Sequence, residues 1–111
     1  MPTHIVIGVE SSDLSSVSRA FATASGVEGE GHESLYLGEY DLFRLPERVK
    51  VKRNHVPLSG AEEDPDDEWD YPEAKQFEIL IVGDDTDRPE YIEGLANQMG
   101  FVVGVVHKST W

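Results

Sequence analysis

Hydrophobic residues are spaced most regularly towards the end of the chain, where they predict a strand, a helix and a second strand. The run Phe77–Gly83 is short and apolar, and two aspartates follow it. From about Arg88 to Met99 the apolar residues recur at helical spacing, and Gly100 follows as a typical helix stop. A second apolar run, Phe101–Val106, completes this strand–helix–strand unit.

The beginning of the chain shows the same order of features. His4–Glu10 is an apolar run without alternation, which is typical of a strand covered on both faces. We expect Ser11 or Ser12 to cap a helix that ends at Gly26. The predicted buried stripe of this helix contains Leu14, Val17, Phe21 and Ala24. The matching layouts predict two related strand–helix units in one sheet.

The middle of the chain predicts further strands and one loop. Val27–Glu33 is rich in glycine and acidic residues, and we interpret it as a flexible turn. Ser34–Leu45 predicts a strand with a bulge or bend near Gly38. In Arg48–Arg53 apolar and basic residues alternate, which predicts a half-exposed strand with a basic outer face.

Together these elements predict a single α/β (α+β) domain over residues 1–111. The expected fold is a ferredoxin-like βαββαβ sandwich with both helices on one face of the sheet. An extra basic strand and an acidic loop are expected as an insertion over residues 46–76. The rival fold is a three-layer sandwich with a partly parallel sheet. In the ferredoxin-like fold the other sheet face stays apolar, so the insertion, a second copy or a partner must cover it.

Composition restricts the possible functions. The chain has 9 basic and 22 acidic residues, which gives a net charge of −13. This charge repels phosphate backbones and anionic lipids, so we expect neither direct nucleic-acid binding nor membrane binding. The charge is compatible with an ordinary acidic protein, a surface that binds a basic partner, or adaptation to high salt. The chain lacks cysteine, which excludes disulfides and thiolate chemistry.

Ala61–Ala74 holds the densest run of carboxylates, with eight acidic residues among fourteen. Trp69 and Tyr71 lie within it, and such aromatic residues either anchor a loop to the core or anchor a partner. We therefore expect a small acidic protein-interaction domain, of inhibitor, immunity or phage-accessory type, that docks a basic protein. The predicted partner-binding residues are Glu62, Glu63, Asp64, Asp66, Asp67, Glu68, Trp69, Asp70 and Tyr71.

Two other functions follow from different residues. In the first, the open sheet face of a homodimer binds a ligand or holds a small active site. Its candidate residues are His4, Tyr36, Tyr40 and His107. Because the strands that His4 opens and His107 closes are predicted antiparallel neighbours, the two imidazole rings could meet. In the second, the carboxylates mimic a nucleic acid by forming two rows at phosphate-like spacing.

Metal binding and catalysis have weak sequence support. Asp84 and Asp85, together with Glu10, are weak candidates for a divalent cation, because parallel strands would bring Glu10 close to Asp84. Helix capping and a solvated turn explain these aspartates better than a metal site does. We therefore predict no metal, no cofactor and no catalytic residue. No apolar run approaches the about 20 residues needed to span a bilayer. With a strand beginning near residue 4, we expect a cytoplasmic protein without a signal peptide.

Overall fold

A computed structural model describes residues 3–34, 38–45, 48–54, 71–74 and 76–110. Within these ranges the chain forms six strands, two α-helices and one short 3-10 turn at Pro72–Ala74. In chain order the elements are β1 (Thr3–Val9), α1 (Leu14–Ser25), β2 (Glu30–Ser34), β3 (Gly38–Arg44), β4 (Arg48–Arg53), β5 (Ile79–Thr86), α2 (Pro89–Gln98) and β6 (Val103–Thr110).

The six described strands form one sheet in which every neighbouring pair is antiparallel. Its order is β2-β3-β4-β5-β1-β6. The fold is therefore α+β, and the predicted first and third apolar strands lie side by side as β1 and β5. The parallel pairs of the rival three-layer fold are not found among the described strands. The basic strand β4 pairs directly with β5, so it lies inside the sheet.

Both helices cover the same face of the sheet. Helix α1 packs on β3 and β4, α2 packs on β1 and β5, and the two helices contact each other. Alternate strand residues point into this core, since side chains in a strand alternate between its faces. The largest rings there are Phe21 of α1 and Phe43 of β3, which meet edge to face with centroids 4.9 Å apart. Fully burying each ring contributes about 1.5–3 kcal/mol.

The helix boundaries agree with the sequence prediction, but the cap of α1 does not. Asp13 is the N-cap, and its carboxylate accepts hydrogen bonds from the backbone N–H groups of Ser15 and Ser16. Ser11 instead accepts a bond from the Asp13 N–H, so the predicted Ser11 or Ser12 cap is wrong. The helix ends at Gly26, whose φ of 73° is the predicted left-handed stop. Within the described ranges, neither helix has the length and apolar character that a membrane crossing requires.

The predicted turn Val27–Glu33 and strand Ser34–Leu45 are corrected by the structure. Glu30–Ser34 is a strand, and it pairs with β3 so that Ser34 lies opposite Gly38. Cross-strand pairing therefore overrides the low strand propensity of this glycine- and glutamate-rich segment. The start of β5 is also corrected, since the strand begins at Ile79 rather than Phe77.

Phe77 packs onto the sheet face opposite the helices. Its ring lies against Gly8 of β1 and Gly104 of β6. A Cβ added at Gly8 would lie 2.3 Å from the ring and collide with it, and one added at Gly104 would be crowded at 3.0 Å. Val6 and Leu80 on the same face are fully buried. The sequence analysis expected this face to need a cover. Part of it is covered within a single chain, by Phe77 shortly before β5.

Replacing Gly8 by Ala should destabilise the fold by about 1–3 kcal/mol, because the added Cβ would lie 2.3 Å from the Phe77 ring. Gly94 is the matched control, since a Cβ there meets nothing within 4 Å. Gly94→Ala in mid-helix should stabilise the protein by about 1 kcal/mol. Urea unfolding followed by circular dichroism would measure both changes. Equal stability of Gly8→Ala and wild type would contradict the packing of Phe77 on this strand.

Candidate functional site

A polar cluster lies at one end of the sheet face that points away from the helices. Its members are His4 of β1, Asp84 of β5, His107 of β6 and Tyr71, which precedes the 3-10 turn. Ile5 and Ile7 face the helices. The residues that alternate with them along β1, including His4, therefore face the opposite way. Three adjacent strands therefore each supply one side chain.

The closest contact in this cluster joins His4 and Asp84. The His4 Nδ1 atom lies 2.5 Å from the Asp84 Oδ1 atom, and the two side chains are 28% and 46% exposed. An ionised carboxylate only accepts hydrogen bonds, so Nδ1–H donates and the Nε2 atom remains the other functional position of the ring. A carboxylate that orients an imidazole in this way is a common arrangement in acid–base sites.

His107 and Tyr71 extend the cluster. The ring centroids of His4 and His107 are 5.8 Å apart, and those of Tyr71 and His107 are 6.3 Å apart. The expected meeting of the two histidines is thus confirmed, because β1 and β6 are antiparallel neighbours. Burial, reinforced by the negative charges of Glu73 and Asp84, raises the pKa of the Tyr71 hydroxyl. Tyr71 therefore stays protonated and can donate a hydrogen bond at neutral pH.

Asn54 holds Tyr71 in place. This side chain is fully buried, and its Nδ2 group donates to the carbonyl oxygens of Tyr71, Ala74 and Phe77 at 3.3, 3.2 and 3.0 Å. Its Oδ1 atom accepts from the Tyr71 N–H at 2.9 Å. One amide thus joins the end of β4 to the segment that leads into β5. Sequence analysis missed Asn54, since its partners lie 17 to 23 residues away.

The other predicted open-face residues are not part of this cluster. Tyr40 lies on β3, which β4 and β5 separate from β1, and its ring stacks on His32 with centroids 5.3 Å apart. Lys50 lies above the same ring at 5.8 Å. Tyr36 lies outside the described residues. The predicted set His4, Tyr36, Tyr40 and His107 therefore contributes only its two histidines to the site.

The predicted partner-binding run is described only at its last residue. Tyr71 is half-buried and belongs to the cluster, whereas Glu62, Glu63, Asp64, Asp66, Asp67, Glu68, Trp69 and Asp70 lie outside the described residues. Tyr71 is bonded to Asn54, which is the last described residue before the run.

The weak metal candidates do not come together. In the antiparallel register Thr3 lies opposite Thr86 and Val9 lies opposite Ile79. Glu10 therefore follows the end of β1 that is far from Asp84, and the expected proximity of these two carboxylates is wrong. Asp85 is exposed, with a φ of 50°. In the part of the chain that the structure describes, no three ligand-type side chains are placed to hold a metal ion.

Lys52 is an unusual basic residue on the same face. It is only 3% exposed, and burial, together with the nearby charge of Lys50, lowers its pKa to about 8. Its partners across the strands are Tyr40 and Leu80. This face of the sheet therefore carries a hydrogen-bonded histidine–carboxylate pair at one end and a buried lysine elsewhere.

Comparison with known proteins gives no family for this chain. No protein-family model matches it, and no curated protein matches it. The functional argument therefore depends on the residues and geometry described above.

Replacing Asn54 by Ala should cost about 2–4 kcal/mol, because three carbonyl groups and one N–H lose their buried partner. Asn97 on α2 is exposed and serves as a control, for which Asn97→Ala should change stability by less than about 0.5 kcal/mol. Thermal unfolding would measure both. A loss below 1 kcal/mol for Asn54→Ala would show that Asn54 does not organise this segment.

Proposed function

We propose that this chain is a small protein-interaction domain that docks a basic protein through the acidic run Glu62–Asp70 and the adjacent Tyr71. Proteins of this kind include inhibitors, immunity proteins and phage accessory proteins. One observation carries the proposal: the densest run of carboxylates in a chain of net charge −13 lies between two residues that are hydrogen-bonded to each other.

The fixed flanks make this run a plausible recognition element on energetic grounds. Asn54 ends the strand region on one side and Tyr71 resumes the described chain on the other, with 2.9 Å between the Tyr71 N and Asn54 Oδ1 atoms. Fixing both ends removes part of the entropy that a free segment would lose on binding. The carboxylates of the run would also steer a basic partner and raise the rate of association.

The proposed fold is ferredoxin-like at its centre. Along the chain, the βαββαβ order is followed by β1, α1, β4, β5, α2 and β6. In the sheet, β2 and β3 extend this core beyond β4. In this proposal the basic strand occupies the second position of the core fold, and the β2–β3 pair is the addition. The acidic run then belongs to the connection between the second and third core strands.

The test compares two variants of equal net charge. In the first, the seven carboxylates of Glu62–Asp70 become amides, which raises the net charge from −13 to −6. In the control, seven exposed carboxylates elsewhere become amides. These are Glu10, Glu28, Glu30, Glu78, Asp85, Asp87 and Glu90. Pull-downs from the native cell extract at low and high salt would use wild type and both variants.

We expect wild type and the control to retain a basic protein that is lost in high salt, and the run variant to lose it already at low salt. Retention by both variants would refute the role of the run. Equal loss by both variants would also refute it, because bulk charge rather than a docking surface would then explain binding.

The bond between His4 and Asp84 favours a second candidate function, in which the open face binds a small ligand or performs acid–base chemistry. His4 Nε2, His107 and the Tyr71 hydroxyl would then contact the ligand. Ligand-observed NMR with a metabolite mixture would test this, using His4→Ala and the control His32→Ala, which removes a histidine from β2 at the opposite edge of the sheet. Binding to wild type and to His32→Ala, but not to His4→Ala, is expected. A ligand that His4→Ala binds equally well would exclude this site.

A further inference from the structure

The two edges of the sheet differ in length and charge. An edge strand exposes unpaired backbone groups, and natural proteins protect such edges with short strands and charged residues. Strand β2 is protected in this way, since it has five residues and its sequence includes Glu30 and Glu33. Strand β6 at the opposite edge has eight residues, VGVVHKST, and no acidic one.

The absence of acidic residues extends beyond β6. The chain has 22 acidic residues, but none lies between Gly94 and Trp111, where His107 and Lys108 are the basic or titratable residues. A surface that binds a basic partner requires carboxylates. This edge is therefore unsuited to the basic partner proposed for the acidic run.

Apolar side chains are exposed along the same edge. Val102 is 64% exposed and Val105 is 48% exposed. A notch of about 230 Å³ lies beside them, between β6 and α2, and its lining includes Ile7, Glu93 and Val103. Isolated apolar residues are ordinary on a surface, but here they adjoin a strand edge that pairs with no second described strand, and a notch lined by both apolar and polar residues.

The apolar first half of β6, which contains Val105, pairs with β1 without a shift in register. The pairing of β6 with β1 shifts register between the Ile7–Val105 and Val6–His107 pairs. This irregularity and Lys108, whose ammonium lies 3.6 Å from the Glu93 carboxylate, protect the second half of the strand. Val103–Val105 remains as a regularly paired segment whose outer edge can accept another strand.

We propose that two copies of this chain associate through antiparallel pairing of their β6 strands, centred on Gly104. The two-fold axis would place Val103 of one copy opposite Val105 of the second copy, and each copy would contribute the same surface. A second copy fits the edge because β6 carries no carboxylate in either partner, and the neighbouring Glu93 carboxylate lies 3.6 Å from the ammonium of Lys108. Elsewhere, two molecules of charge −13 repel each other.

The salt response distinguishes this association from docking of a basic partner. Salt screens the repulsion between two acidic copies, so dimerisation should strengthen at high ionic strength. Binding of a basic protein should weaken under the same conditions. Failure of one proposal therefore does not imply failure of the other.

Sedimentation velocity over a concentration series would test the dimer in wild type, Val105→Glu and Tyr91→Glu. Tyr91 is a matched control, since it is 42% exposed but lies on α2 away from the edge. We expect Val105→Glu to raise the dissociation constant at least about tenfold and Tyr91→Glu to leave it unchanged. A monomeric wild type at about 100 µM, or an unchanged dimer in Val105→Glu, would overturn the proposal.

Cross-linking tests the register without depending on the charged variant. Since the chain contains no cysteine, Val103→Cys and Val105→Cys can be mixed and oxidised. Directly opposite strand residues have the separation that a disulfide requires. Mixing the two variants should give more cross-linked dimer than either variant alone, and Tyr91→Cys should give none. Equal yields from all samples would refute pairing centred on Gly104.

Discussion

The antiparallel pairing of β1 with β5 determines most of this structure. Residue pairs from Val9–Ile79 to Thr3–Thr86 bring the N-terminal half and the C-terminal half of the chain together. The same register points Ile5, Ile7 and Ile81 at the helices. On the opposite face it places His4 beside Asp84, and it leaves Glu10 at the far end of the strand. The core and the histidine–carboxylate contact are thus two consequences of one alignment.

In the described part of the chain, the packing on the second face of the sheet depends on glycine and asparagine residues. Gly8 and Gly104 leave the space that the Phe77 ring fills, and Asn54 binds the carbonyl of Phe77. Because Asn54 is fully buried and bonds to three carbonyl groups, the approach to β5 is fixed on the sheet. The histidine cluster and the flank of the acidic run consequently share one rigid support.

Local patterns in the sequence were sufficient to predict both helices and the three apolar strands, whereas the meeting of His4 with His107 followed from the expected topology of the sheet. Periodicity and a glycine stop depend on neighbouring residues, so they can be read directly from the chain. Strand direction cannot be read in this way, and the expected approach of Glu10 to Asp84 failed for that reason. The β2 strand and the contacts of Asn54 depend on distant partners, which no local pattern contains. The cap of α1 was ambiguous, because Ser11, Ser12 and Asp13 are all good caps.

Lys52 shows how far the overall charge of the molecule controls a local site. A net charge of −13 should favour the protonated form of any lysine, yet burial lowers the pKa of this one to about 8. Desolvation at short range therefore outweighs attraction by many distant carboxylates, which water and salt screen. By the same reasoning, the overall acidity would speed the encounter with a basic partner but would not select it. Selection requires groups held in fixed positions, and Tyr71 is such a group, because Asn54 holds both its N–H and its carbonyl oxygen.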